Sequence, residues 1–178
     1  MRPDWPQYFT DMLAQVGTRS TCMRRRVSCI VTTTDHRILA TGYNGAPSGV
    51  PHCDGVGCLR AEMNIPSGER HEICRAVHAE QNAIAQAAKN GINLSHSIAY
   101  VSTVPCVICS KIMINSGIAK IYMANFEYPD KLGIGMLLDA GVLLFAMKDG
   151  EFYPVRKCLK CHKPMLLTNP YGFMCCGE

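Results

Sequence analysis

No stretch of this sequence approaches the roughly 20 apolar residues that a membrane-spanning helix needs, so no bilayer-crossing segment is expected. The opening residues, Met1 to Pro6, carry no apolar core of the signal-peptide kind. Export is therefore not expected, and the cytoplasm is the expected location. Charge imbalance is also slight. A net charge of +4 over 178 residues is too mild to demand a nucleic-acid partner. The length suits one domain with a full core, and 48% hydrophobic residues is ordinary for a soluble protein. Cysteine, by contrast, is abundant, with 11 residues. The cysteines cluster with histidines at metal-type spacing, so metal ligation is a better reading than disulfides.

Two segments carry the chemistry: His78-Ala79-Glu80 and Pro105-Cys106-Val107-Ile108-Cys109. One His and two Cys complete the protein ligands of a catalytic zinc, whose fourth corner stays open for water. His78 opens an Ala-rich segment, Ala79 to Lys89, that reads as a helix stopped by Asn90-Gly91. Cys106 and Cys109 share one face of a second helix opened by Pro105. Both helices would aim positive N-termini at the metal. Glu80 stands beside the ligand His78 without being a ligand, where a proton shuttle belongs. The competing reading is a closed structural zinc site, but no fourth Cys or His pairs with the second segment.

The rest of the chain alternates predicted elements. Trp5 to about Val16 reads as an amphipathic helix whose stripe, including Trp5, Tyr8, Phe9 and Leu13, packs on the core. Val27–Thr33 and Ile38–Thr41 read as a hairpin. Ser97–Val104, Ile118–Ala124 and Val142–Met147 read as strands, separated by helices over Cys106–Ser116 and Ile134–Ala140. The expected fold is α/β, three layers, with a mixed five-stranded sheet and helices on both faces. Residues 1–150 form the expected main domain, and 151–178 a Cys-rich tail.

Three features stay open on local chemistry. Arg24-Arg25-Arg26 suits a phosphate or a solvated face. Asn44, in the glycine-dense loop 42–49, suits a substrate contact or a turn. The insertion at about 52–74, together with Cys22, offers six metal ligands. Cys22, Cys53, His71 and Cys74 are the favoured set for a second, structural zinc, with Cys58 in reserve. In the tail, Cys158, Cys161, Cys175 and Cys176 form a candidate zinc ribbon, against the alternative of free thiols. Cys29 reads as a small buried hydrophobe.

The H-x-E and P-C-x-x-C pair is the signature of zinc deaminases. With Arg19-Ser20-Thr21-Cys22, Gly42-Tyr43-Asn44-Gly45, Pro51-His52-Cys53 and His78-Ala79-Glu80-Gln81-Asn82-Ala83-Ile84, the chain resembles the cytidine-deaminase superfamily. Within it, the resemblance is to the bacterial and phage deoxycytidylate (dCMP) deaminases, from Trp5 to about Met147. The resemblance implies a cytidine-deaminase-like fold and zinc-dependent conversion of dCMP to dUMP for thymidylate synthesis. It implies His78, Cys106 and Cys109 as zinc ligands, Glu80 as acid/base, and Ala79 and Asn44 as substrate contacts. It further implies a second zinc at Cys22 and Cys53, a homohexamer, and dCTP and dTTP as effectors with Mg2+, near the Gly42–Gly45 loop.

Two rival readings remain at this stage. One is another nucleotide or tRNA deaminase; a tRNA enzyme should carry a basic stripe, and the arginine triplet is thin support. The other is a non-enzymatic zinc protein binding nucleic acid or a partner. Glu80 argues against it, because a structural site needs no such carboxylate.

Overall fold

The computed structural model describes residues 2–126, 130–158 and 161–168. The first helix, α1 (Trp5–Gly17), is capped by Asp4, whose side chain accepts the Gln7 N–H at 2.9 Å. Strands β1 (Ser28–Thr32) and β2 (Ile38–Tyr43) form an antiparallel hairpin. Two helices of four residues each, α2 (Cys53–Val56) and α3 (Leu59–Glu62), and one 3₁₀ turn (His71–Ile73) follow. Then come α4 (Ala79–Lys89), β3 (Ile98–Val101), α5 (Val107–Asn115), β4 (Lys120–Met123), α6 (Lys131–Asp139) and β5 (Leu143–Lys148). Strands β3, β4 and β5 run parallel, and α5 and α6 supply the crossovers that parallel neighbours require.

The expected five strands lie in the order β2-β1-β3-β4-β5, but the sheet continues. β6 (Glu151–Lys157) pairs antiparallel with β5, and β7 (Pro164–Leu166) pairs antiparallel with β6. The sheet therefore has seven strands, not five. Phe152, Tyr153 and Val155 are good strand formers, and Val155, 2% exposed, joins the main core. The zinc ribbon expected in the tail falls partly outside the described residues. Cys158 is buried and Cys161 half-buried in the turn between β6 and β7, while Cys175 and Cys176 lie outside the described residues.

Alternation along the strands divides the core in two. Ile30, Ile98 and Tyr100 face α1 and bury Phe9 and Leu13. Tyr100, Tyr122 and Phe145 are cross-strand partners on this face, their rings stacked 5.2 and 5.0 Å apart. The α1 stripe is core only in part: Trp5 and Tyr8 remain 40% and 43% exposed. On the opposite face, Cys29, Val31, Ala99, Val101, Ile121 and Met123 share a core with α4, α5 and α6. No helix among the described residues is long and apolar enough to cross a membrane.

The α4 seam consists of Ala79, Ala83 and Ala87, spaced four apart and fully buried. Small residues let the helix lie close to β2. A Cβ at Gly42 would stand 2.1 Å from the Ala79 carbonyl oxygen and 2.6 Å from the Ala83 nitrogen. Each of α4, α5 and α6 ends in the same way. A left-handed glycine follows the cap, and the next N–H reaches back to the third-last helical carbonyl (Ile92 to Ala87, Ile118 to Met113, Val142 to Leu137).

Candidate functional site

His78 is the residue immediately before α4, and Cys106 the residue immediately before α5. Cys109 lies one turn further along, on the Cys106 face. The His78 Nδ1 atom lies 3.4 Å from each of the two sulfurs. Among the described residues, this is the one group of three or more His, Cys, Asp or Glu side chains gathered closely enough to hold a metal ion. Tetrahedral zinc, with nitrogen at about 2.0 Å and sulfur at about 2.3 Å, separates such ligand atoms by about 3.6 Å. The two nitrogen–sulfur distances fit zinc.

Both helix starts are held by side chains. Gln81 Oε1 accepts the His78 N–H at 3.0 Å. Asp130 serves two helices with one carboxylate: Oδ2 accepts the Val107 N–H at 2.7 Å and Oδ1 accepts the Gly133 N–H at 2.9 Å. It thereby fixes the residue next to Cys106. The sequence reading passed over Asp130. An N-cap signal stood there, but the bond to Val107 is a tertiary one.

The electrostatics follow from burial and proximity. Glu80, 3% exposed, has its carboxyl pushed above the usual range by desolvation. The hydrogen bond from Cys109 pulls the Cys106 thiol down to about 4. The same pairing pushes Cys109 up. A bound dication would displace the thiol protons. The bond to Cys106 raises His78. Cys29, 1% exposed, sits in the core with its thiol raised by burial.

The other expected site residues divide. Ala79 begins α4 and is fully buried beside Glu80. Asn44 lines the same cavity as His78 and Glu80, but its amide is largely committed. Its oxygen accepts Ser20 Oγ–H at 2.6 Å and the Val27 N–H at 2.9 Å, and its nitrogen donates to the Arg25 carbonyl at 2.9 Å. It ties the Arg24–Val27 segment to the cavity wall. Cys22, Cys53, Cys58 and Cys74 lie near one another, since the other three each raise the Cys53 thiol after burial does. They are not gathered as tightly as the His78 group. His71 faces elsewhere: its ring meets the His78 ring edge-on at 4.9 Å, and burial, then His78, holds it below its ordinary value.

Known proteins resemble this chain in sequence and fold. The family described as the cytidine and deoxycytidylate deaminase zinc-binding region matches residues 3–125. The chain belongs to this deaminase family. It is 35% identical over 143 residues to a deoxycytidylate deaminase of Schizosaccharomyces pombe, covering 80% of this chain and 44% of that protein. It is 35% identical over 125 residues to the deoxycytidylate deaminase of Mycobacterium phage D29, covering 67% of this chain and 94% of that one. The chain thus spans less than half the length of its fungal relative. Its fold is similar to the crystal structure of the dCMP deaminase of cyanophage S-TIM5 in complex with dCMP and dUMP. The TM-score is 0.68 and the identity 30%, over 83% of this chain and 99% of that chain.

Proposed function

We propose that this deaminase hydrolyses dCMP to dUMP and ammonia. One observation carries the reading: three zinc-type ligand atoms meet at two helix N-termini with a buried carboxylate, Glu80, two residues from His78. The likeness to phage dCMP deaminases supports the choice of substrate. His78, Cys106 and Cys109 would hold a zinc ion, which when bound would supply an acidified water and a Lewis acid. Glu80 would take one proton from the water and deliver it to N3 of the cytosine ring as the hydroxide adds to C4; it would then take the proton of the new C4 hydroxyl and give it to the departing amine, so that C4=O forms as ammonia leaves. A carboxyl raised by burial suits both tasks. The Ala79 backbone orients the base, and Asn44 orients the nucleotide by fixing the wall around it.

The family resemblance adds a role in thymidylate supply, dCTP and dTTP as effectors with Mg2+, and a homohexamer; the cytoplasmic location rests on the reading of the sequence instead. Cys22, Cys53 and Cys74 remain the core of a second zinc site, with Cys58 a better fourth ligand than His71, given the direction His71 faces. Cys158, Cys161, Cys175 and Cys176 remain the candidates for a third. Metal analysis of the purified chain distinguishes one, two or three zinc ions.

The test of substrate is ammonia release from dCMP, deoxycytidine, CMP and dCTP, each offered to zinc-loaded protein, with dCTP and dTTP then added to the dCMP reaction. Selective release from dCMP is expected. Release from dCTP alone, or from none, would overturn the reading.

A further inference from the structure

The two halves of the metal group are anchored differently. His78 is held from within its own helix, since Gln81, in the first turn of α4, accepts the His78 N–H. Helix α5 has no such residue. Its N-cap is Cys106, whose side chain makes no capping bond, and its first turn contains no acidic residue. The Cys106 sulfur lies against His78 Nδ1 instead. A helix that reserves its capping side chain for a metal needs another acceptor for its first N–H groups. Asp130, 23 residues beyond Val107, supplies one.

Topology makes that reach possible. β3 and β4 are parallel neighbours, with Val101 beside Met123. The chain leaving β3 starts α5, and the chain leaving β4 starts α6, at the same end of the sheet. Gly133 lets the two starts touch. A Cβ there would stand 2.9 Å from the Pro105 carbonyl oxygen, 3.1 Å from the Val107 nitrogen and 2.8 Å from Ser110 Oγ. Asp130, the N-cap of α6, closes this contact with both oxygens, one on Val107 and one on Gly133. Gly133 is buried, so its N–H cannot exchange the carboxylate for water without cost. The backbone that carries both sulfurs is therefore seated on α6 rather than fixed by residues of α5.

We infer that Asp130 is a positioning residue for the metal: it seats the start of α5 on α6 and so holds Cys106 and Cys109 at ligand distance from His78. This rests on the reading of these three residues as the zinc site, and not on the identity of the substrate. Loss of Asp130 weakens zinc retention and slows the chemical step while leaving substrate binding alone.

The test uses zinc-loaded full-length protein, the variants Asp130→Ala and Asp130→Asn, and Asp4→Ala as a control. The control removes the cap of α1, which packs on the other face of the sheet. The first readout needs no turnover: the rate of zinc transfer to a chromogenic chelator, with the phase lost in His78→Ala marking the zinc of this site. That rate should rise on the order of 10-fold in Asp130→Ala, less in Asp130→Asn, and not in Asp4→Ala. The second is the visible absorption of the cobalt(II)-substituted proteins, which reports ligand geometry and should change in the Asp130 variants alone. The third is dCMP turnover at saturating zinc, where kcat should fall and KM stay. If Asp130→Ala does not fold, Asp130→Asn carries the same readouts. Unchanged zinc release and cobalt absorption in a folded Asp130 variant overturn the inference, whatever its melting temperature. Equally fast release from Asp4→Ala overturns it too, by assigning the effect to general loosening. A wild type whose zinc content is the same in His78→Ala overturns the metal reading and the inference with it. Faster release from Asp130 variants of a protein inactive on dCMP overturns the substrate alone.

Discussion

The two cysteine-bearing regions of this molecule are built in opposite ways. The ligands His78, Cys106 and Cys109 stand at the starts of an 11-residue and a 9-residue helix, both packed on the central sheet and capped by Gln81 and Asp130. Cys53 and Cys58 stand in and beside two helices of four residues each, far too short to be stable alone. Cys22 and Cys74 lie outside helices and strands. The first set lies at ligand distance. The second is near but not gathered. A site on rigid elements is made before its metal arrives, whereas one on irregular backbone depends on the metal to complete it.

The sharpest way to break this comparison is a methyl group. Gly42→Ala drives a Cβ into the backbone of α4. It should cost about 3 kcal/mol or more by the logic of overpacking, read as a fall in the urea midpoint, with zinc binding weakened. Gly55→Ala, in α2, meets nothing within 4 Å and should change stability by less than about 0.5 kcal/mol.

Asp130→Ala removes two caps at once. At about 1 kcal/mol each, the loss should be about 2 kcal/mol and lower Tm by about 5 °C. Asp130→Asn should recover about half of it, because asparagine has one acceptor oxygen for the two N–H groups. Unchanged Tm in Asp130→Ala would mean the shared carboxylate carries no weight.

Chelation probes the difference directly. Stripping metal should open the 52–74 segment to limited proteolysis several-fold faster, while cleavage within α4 and α5 stays slow. Equal protection of both regions would contradict the contrast.

The smallest effect concerns Glu80. Its folded-state pKa is raised, so the protein loses stability as pH climbs from the unfolded value, about 4.3, toward the folded one. In chelator-treated protein, Glu80→Gln should therefore raise Tm by a few degrees at pH 7 and by almost nothing at pH 4. A lower Tm at pH 7 would show that the ionised carboxylate is stabilising.

Helix α4 was legible in the sequence, because an Ala-rich run ended by Asn90-Gly91 leaves little alternative. So were the first five strands, set by apolar runs between helical segments. β6 escaped because Pro154 and the charged residues Glu151, Arg156 and Lys157 mask a strand whose Val155 reaches the core. The α1 periodicity foretold burial along the whole stripe, yet periodicity cannot say how far the opposing sheet extends, and Trp5 and Tyr8 stay largely in solvent. At the site, spacing in sequence brought out His78, Cys106 and Cys109. Asp130 and the commitment of Asn44 to Ser20, Val27 and Arg25 depend on contacts between distant segments. The same holds for His71, which sits within three residues of Cys74 but turns toward His78.

The most direct measurement is single-turnover deamination of dCMP by wild type and Glu80→Gln, with zinc content determined on the same samples. The account predicts equal zinc, retained dUMP binding, and a rate lower by about 10³-fold or more in the variant. Near-normal turnover by zinc-loaded Glu80→Gln would contradict it.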